Sequence, residues 1–195
     1  MRIVITEFMS LDGVVQAPGG PDEDTEHGFA HGGWSHPYFD PEVMGKAWDD
    51  AVSGADALLY GRRTWQGMAA AWPERAGDPF ADRMNAIPKH VVTSTLGDDD
   101  MQWNTRRIPG DEAIDRVREL RTQSNLLVMG SATLVRTLLR EGLVDELRLM
   151  VEPVILGGGK SIFPDDGGLR ALELVSTVTA ATGVNVSTYR VVAAG

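Results

Sequence analysis

The chain has 195 residues, of which 43% are hydrophobic and 24% charged, a composition typical of a globular domain with a real core. Its formal net charge of −10 argues against nucleic-acid and anionic-membrane partners, although a small phosphorylated ligand needs only a local basic patch. Cysteine is absent, which excludes disulfides and thiolate chemistry. Because we find neither a signal-peptide pattern nor an apolar run of ~20 residues, we expect a cytoplasmic protein.

The N-terminal part of the chain predicts a strand, a long loop and a helix. Residues 2–9 are rich in β-branched and aromatic side chains, which indicates a strand. Residues 17–37 have no periodicity and are full of Gly, Pro, acids and His, as in a lid, a binding loop or a disordered segment. Asp40, followed by proline, is a good N-cap for a helix that ends at Gly54.

The rest of the chain alternates strands and helices and ends in two strands. Strands are predicted over 57–60, 89–95, 126–130 and 147–156, and helices over 64–71, from a cap at Asp111, and from a cap at Ser131 to Gly142. The runs 172–180 and 184–192 are separated by a Thr-Gly turn, which predicts a β-hairpin. We therefore expect one α/β domain over residues 1–195, with a doubly wound, mostly parallel sheet, a final antiparallel hairpin and helices on both faces.

Three of these strands end in segments suited to phosphate, and parallel sheets bind ligands at the carboxyl ends of their strands. The segments are Gly61, Arg62, Arg63 and Thr64; Thr93 and Ser94; and Gly130, Ser131, Ala132 and Thr133. Arginine offers a planar charged fork, the hydroxyls offer neutral donors, and the third segment offers backbone N–H groups at a helix N-terminus. Each segment alone also fits a solvated turn, a plain strand end or a simple N-cap, but their joint arrangement favours an anionic ligand.

Two familiar phosphate motifs are absent. The run Gly-Gly-Gly-Lys-Ser over 157–161 resembles the end of a P-loop, but Val154 stands where the motif needs its first glycine. The G-x-G-x-x-G fingerprint of dinucleotide-binding proteins does not occur either. The phosphate site must therefore be built in another way.

Four segments, in this order, resemble the dihydrofolate reductase superfamily, and more closely its branch that contains the C-terminal reductase domain of the riboflavin biosynthesis protein RibD. They are Met-Ser-Leu-Asp-Gly over 9–13, Leu-Tyr-Gly-Arg-Arg-Thr over 59–64, Val-Met-Gly-Ser-Ala over 128–132 and Val-Ile-Leu-Gly-Gly-Gly-Lys over 154–160. The resemblance implies a sheet of about eight strands, a homodimer, and a reductase that transfers a hydride from NADPH to a small heterocyclic substrate, as in 5-amino-6-(5-phosphoribosylamino)uracil reductase.

The resemblance also implies roles for individual residues. By this resemblance, the 2′-phosphate of NADPH is bound by Arg62, Arg63 and Thr64, with Thr93 and Ser94. The pyrophosphate is bound by the segment from Gly130 to Leu134, and the nicotinamide lies near Val14, Val15 and Gln16. Two positions depart from the pattern. Gly45 stands where dihydrofolate reductases carry the acid that holds the pterin, and Val14 stands where RibD reductases carry a basic residue.

A reductase also needs a proton donor. Candidates are Asp12, His31, His36 and Asp40, or a bound water, although Asp12 also suits a turn and Asp40 a helix cap. Glu152 precedes a proline on a central strand and is a further candidate, since a buried carboxylate needs a partner or a raised pKa.

The loop over 17–37 leaves two further questions open. Its three histidines and its acids lack a preorganised spacing, so we predict no metal site but a solvated acidic loop. Trp34 suits either a lid over the substrate or a subunit contact. Loss of the acid at Gly45 keeps a second function open, namely a non-catalytic nucleotide-binding dimer that retains the NADPH site.

Overall fold

The computed structural model describes residues 1–192, which form an eight-stranded sheet with helices on both faces. The strands are β1 (Ile3–Ser10), β2 (Ala57–Gly61), β3 (Lys89–Thr93), β4 (Thr105–Pro109), β5 (Leu126–Val128), β6 (Glu146–Glu152), β7 (Leu172–Thr179) and β8 (Asn185–Val191). The helices are α1 (Lys46–Ser53), α2 (Arg62–Ala71), α3 (Pro79–Ala86), α4 (Ala113–Gln123) and α5 (Ala132–Arg140). Within residues 1–192, no helix has both the length and the apolar character of a membrane span.

The strand order is β4-β3-β2-β5-β1-β6-β8-β7. The first six strands of the chain pair in parallel, and β8 joins β6 and β7 by antiparallel pairing. The predicted fold class, a mostly parallel doubly wound sheet that ends in an antiparallel hairpin, is therefore confirmed.

The central strands are apolar on both faces because helices cover both. Ile3 and Ile5 of β1 pack in a core with α4 and α5, while the intervening Val4 packs in a second core with α1, α2 and α3. Such continuous apolar runs are typical of buried parallel strands.

Two central strands separate near the middle of the sheet. β1 pairs with β5 only from Ile3 to Ile5, because β5 ends at Val128, whereas it pairs with β6 as far as Ser10. The backbone of β1 beyond Ile5 therefore has an open edge on the β5 side, between two strands that are neighbours in the sheet.

Several predicted boundaries are wrong by a few residues. α2 begins at Arg62 directly after β2 rather than at residue 64, and β3, β5 and β6 end at Thr93, Val128 and Glu152. Asp111 is not the cap of α4, since Glu112 occupies the N-cap position.

Two elements, α3 and β4, were not predicted at all. α3 carries a clear start signal, because Asp78 accepts hydrogen bonds from the backbone of Phe80 and Ala81 and Pro79 occupies the first position. β4 is a polar edge strand, Thr-Arg-Arg-Ile-Pro, whose side chains are mostly not buried. Its sequence therefore lacks the apolar signal of the central strands.

We predict that Gly61→Ala destabilises the fold by about 1–3 kcal/mol. Gly61 has φ −78°, which alanine tolerates, but an added Cβ would overlap the Ser131 hydroxyl and force the starts of α2 and α5 apart. Gly67→Ala is the matched control, since Gly67 lies in α2 with open space around its Cβ and should gain about 0.5–1 kcal/mol. Urea unfolding measures both; equal effects would show that the Gly61–Ser131 contact is not tight.

Candidate active site

A cleft of about 1110 Å³ opens where β1 and β5 separate. We divide the residues that line it by their chemistry into a polar half and an apolar half. The polar half is lined by Arg62, Arg63, Thr64, Gly130, Ser131, Ala132, Thr133 and Lys160, and the apolar half by Phe8, Phe39, Trp48, Met68, Trp72, Met129 and Met150. Val15 and Gln16 also line it, so nine of the sequence-predicted binding residues meet in one cavity.

The N-termini of two helices face the polar half. α2 follows Gly61 and α5 follows Ser131, and neither N-cap residue makes a side-chain capping hydrogen bond within the described chain. The two starts adjoin, because the Gly61 amide donates to the Gly130 carbonyl at 3.2 Å. Gly130 has φ +86°, and a Cβ there would lie 2.9 Å from the Thr64 hydroxyl, so only glycine brings the backbone this close. Uncapped helix N-termini attract anions.

The cations of this half are not equivalent. Arg63 and Lys160 both form ion pairs with Asp24 and Glu26 of the loop over 17–37. Lys160 and then Arg63 hold the pKa of Glu26 at about 2, well below its ordinary value. Arg62, in contrast, is half-buried in the cleft wall and has only a neutral side-chain partner, Gln66, at 3.2 Å among the described residues.

The loop over 17–37 is folded against the cleft rather than structureless. Gln16 donates from its amide nitrogen to the carbonyl oxygens of Asp24 and Glu26 at 3.0 and 3.1 Å. The buried Trp34 donates to the Gln16 carbonyl oxygen at 2.7 Å, which anchors the loop. Trp34 is therefore an internal support of the loop, and its side chain does not line the cleft.

Aromatic rings form one wall of the apolar half. Trp48 contacts Phe8 edge-on at 5.4 Å between centroids and Trp72 at 5.8 Å, and its indole N–H reaches the sulfur of Met129 at 3.0 Å. Apolar walls with aromatic side chains are typical of pockets that bind small molecules.

Two polar side chains of β1 line the cleft, each with an oxygen that lacks a hydrogen-bond partner among the described residues, and neither was predicted from the sequence. Thr6 Oγ1 and Glu7 Oε1 are buried and make no hydrogen bond within residues 1–192. Burial, and secondarily the charge of Glu23, raise the pKa of Glu7 to about 8, with a smaller opposing contribution from the Gly130 backbone. The available signal was that Glu7 is the one charged residue within β1.

Lys160 was missed as well. It belongs to the glycine-rich run that fails as a P-loop, but its backbone pairs with the chain that follows β1. The Val15 amide donates to the Lys160 carbonyl oxygen at 2.9 Å, and the Lys160 amide donates to Gln16 Oε1 at 3.1 Å.

Glu152 is fully buried behind the cleft. It accepts a hydrogen bond from the Ser35 hydroxyl at 2.6 Å, while its other oxygen has no partner within residues 1–192. Burial raises its pKa to about 7. Ser35 lines the cleft but Glu152 does not. The side chain of Ser35 would therefore separate Glu152, a predicted proton donor, from a ligand in the cleft.

Of the other predicted proton donors, only His36 lines the cleft. Asp40 caps the turn before α1, where it accepts the backbone N–H groups of residues 42 and 43. Asp12 accepts hydrogen bonds from Ser10 and from the backbone of Leu156 and Gly157, and the Ser10 hydroxyl contributes most to lowering its pKa. Both aspartates therefore hydrogen-bond to the backbone, in line with the alternative predictions of a turn residue for Asp12 and a helix cap for Asp40.

Five predicted cofactor residues, Val14, Gly61, Thr93, Ser94 and Leu134, lie outside the cleft lining. Gly61 is buried beneath it at the start of α2, and Leu134 packs in the core. Thr93 accepts backbone N–H groups of the turn after β3, at 3.2 Å each, and Ser94 lies in that turn. The side chain of Leu134 is therefore not available to a ligand, and the roles of Thr93 and Ser94 stay predictions.

The chain belongs to the RibD C-terminal domain family, whose model matches residues 2–186. A relative, the uncharacterised protein YyaP of Bacillus subtilis (strain 168), is 27% identical over 190 residues, which are 94% of this chain and 91% of YyaP. The family predicted from the four motifs is confirmed.

Solved structures share the fold. A Shewanella sp. PV-4 protein, named provisionally for riboflavin biosynthesis, superposes with a TM-score of 0.75 and 18% identity over 99% of this chain and 100% of its own. Dihydrofolate reductase from Enterococcus faecalis, solved with NADP(H) and an inhibitor named RAB-propyl, superposes with a TM-score of 0.60 and 16% identity over 97% and 96% of the two chains. At these identities the likeness establishes the fold.

We predict that Glu7→Gln stabilises the protein increasingly as the pH rises from 5 to 9. The folded protein holds a proton on Glu7 up to about pH 8, whereas the unfolded chain releases it near pH 4.5. The free energy of unfolding therefore decreases as the pH rises across that interval. The amide keeps the size of the side chain and cannot ionise, which should yield a gain of a few kcal/mol at most above pH 8. Unfolding free energies of both proteins at several pH values check this; a difference independent of pH would contradict it.

Proposed function

We propose that this chain is an NADPH-dependent reductase that transfers a hydride to a small, planar heterocyclic substrate. The observation that carries the proposal is the convergence of two uncapped helix N-termini and Arg62 on one side of a cleft whose other side is aromatic. The polar half suits a nucleotide with several phosphates, and the apolar half suits a flat ring. Membership of the RibD C-terminal domain family supports a reductase.

The cleft has groups that fit each part of the cofactor. Backbone N–H groups at the start of α5, from Ala132 and Thr133, suit the pyrophosphate, because they lie at an uncapped helix N-terminus that lines the cleft. Arg62 suits the 2′-phosphate, since it carries a guanidinium that is not already paired with a carboxylate among the described residues. Arg63 and Lys160 form ion pairs with Asp24 and Glu26, and their proposed role is to hold the loop over 17–37 in place.

The reduced nicotinamide would supply the hydride, and the residues of this chain would provide position and exclude water. Trp48 and Trp72 would stack or border the substrate ring, while the partnerless hydroxyl of Thr6 would give it a directional hydrogen bond. The chemical identity of the substrate is proposed only as a heterocycle of this kind.

A phosphoribosyl substrate is not part of the proposal. The position after Ser-Leu-Asp-Gly holds the buried Val14, and the nearby Lys160 is already paired with two carboxylates. A second phosphate group on the substrate would therefore lack a free cation at this end of the cleft among residues 1–192.

The test is a paired titration with NADPH and NADH, followed by quenching of tryptophan fluorescence. We expect NADPH to bind at least ~30-fold more tightly, which corresponds to about 2 kcal/mol from the 2′-phosphate contact. Arg62→Ala should remove most of this preference by weakening NADPH and leaving NADH unchanged. Arg75→Ala is the matched control, because Arg75 also lines the cleft but stacks on Trp72 at 4.8 Å. Equal affinities in the unmodified protein would contradict the 2′-phosphate assignment.

We also propose that the protein forms a homodimer through β7. β7 is one of the two edge strands of the sheet, and all of its eight residues are exposed. Its apolar side chains, Leu172, Leu174, Val175 and Val178, are 43–54% exposed. A long apolar edge strand is an unfavourable surface for a monomer and a good template for pairing with another chain.

We expect Leu174→Lys to shift the protein from dimer to monomer in light scattering. The charge would stand within the apolar edge and would be desolvated on pairing. Leu11→Lys, at a residue that is 65% exposed and lies outside β7, is the control and should leave the dimer intact. A monomeric unmodified protein, or a dimer that survives Leu174→Lys, would overturn the β7 assignment.

A further inference from the structure

The carboxyl group of Glu7 lies in the cleft with one oxygen that no hydrogen bond satisfies among the described residues. Asp12 and Asp40 each satisfy several backbone N–H groups, whereas Glu7 Oε1 is buried and has no hydrogen-bond partner within residues 1–192. Glu7 also stands on the stretch of β1 that no longer pairs with β5. A buried carboxyl oxygen without a partner is costly, so a position of this kind suits a group that acts on a ligand.

The surroundings of Glu7 favour its neutral, protonated form. The adjoining cleft wall is apolar, and the loop brings Glu23 close enough for its charge to act on Glu7. Glu23 is itself held in place by the Gly19 amide, which donates to its carboxylate at 2.7 Å. Two neighbouring carboxylates do not both ionise readily in a poorly solvated site. The other titratable groups that line the cleft are Asp22, Asp24, Glu26, His36, Arg62, Arg63, Arg75 and Lys160.

Glu7 adjoins residues of both halves of the cleft. Its carboxyl group interacts with the backbone of Gly130, which precedes α5, and its chain neighbour Phe8 lines the apolar half. Hydride transfer takes place where these two halves meet, if the proposed function holds. A proton donor must stand at this same boundary, because the proton goes to the atom next to the one that accepts the hydride.

We propose that Glu7 is the catalytic proton donor of this reductase, an inference that rests on the proposed function. The substrate carbon of a C=N or C=O bond accepts the hydride with its two electrons, and the π electrons of that bond move to the nitrogen or oxygen. The O–H bond of the Glu7 carboxyl breaks and an N–H or O–H bond forms on the substrate. The nicotinamide is oxidised, and the Glu7 carboxylate regains its proton from solvent when the product leaves.

The oxidised and reduced cofactors differ in a way that tests this position without a substrate. The ring of NADP⁺ carries a positive charge and that of NADPH does not, while their phosphates ionise alike. A positive ring next to Glu7 favours the carboxylate and lowers its pKa, typically by 1–3 units at close range. By linkage, NADP⁺ must then bind more tightly relative to NADPH once Glu7 ionises.

The experiment measures dissociation constants for NADP⁺ and NADPH by tryptophan fluorescence from pH 6 to 9.5. We expect the ratio of the two constants to change at least ~10-fold in favour of NADP⁺ as the pH rises, which corresponds to a shift of one pKa unit. Glu7→Gln should make the ratio independent of pH. Glu23→Gln, which removes the neighbouring cleft carboxylate, should keep the pH dependence and shift it to lower pH.

The outcomes separate the two proposals. If neither nucleotide binds, the proposed function itself fails. If both bind but the ratio does not depend on pH, or if the dependence survives Glu7→Gln or disappears in Glu23→Gln, the cofactor assignment stands and Glu7 is not the donor. Should Glu7→Gln fail to fold, carbon-13 spectra of the unmodified protein labelled at the glutamate carboxyl carbons replace it. One resonance should then titrate at lower pH with NADP⁺ than with NADPH, and identical titrations would overturn the proposal.

Discussion

The early end of β5 is the constraint on which the rest of the site depends. Because β5 stops at Val128 while β1 continues to Ser10, the two strands diverge and the sheet opens between them. The open edge exposes Thr6 and Glu7 to the cleft, although both lie on a central strand. The same divergence lets the chain after β5 turn at Gly130 and start α5 beside the start of α2. Cleft, anion site and buried acid thus follow from one short strand.

Charge in the cleft is arranged locally, against a strongly acidic background. The chain has a net charge of −10, and yet the polar half collects Arg62, Arg63 and Lys160. Two of these cations pair with Asp24 and Glu26, which closes the loop over 17–37 against the cleft. The remaining arginine and the helix N-termini form a small positive region. A region of this size suits a small phosphorylated ligand.

The order of strands and helices could be predicted because buried strands and amphipathic helices repeat their apolar residues with different periods. The phosphate-suited strand ends could also be predicted, because the segments that contain Arg62 and Gly130 both follow predicted parallel strands, whose carboxyl ends meet at one edge of the sheet. Glu7 was missed because a single charge does not change the strand signal of its neighbours. The structural role of Asp12 could only be weighed as an alternative, since its backbone partners Leu156 and Gly157 are 144 and 145 residues away in the chain. The edge strand β4 was not predicted because its mostly polar sequence shows no alternation of apolar and polar residues.

The central claim is that the two helix N-termini at the opened sheet hold the phosphates of NADPH. Its most direct test is a titration of nitrogen-15-labelled protein with NADPH, followed by amide correlation spectra. The account predicts that amides from Arg62 to Thr64 and from Gly130 to Thr133 shift together with one dissociation constant, while amides of β7 do not move. Absent shifts, or shifts confined to residues outside the cleft, would contradict it.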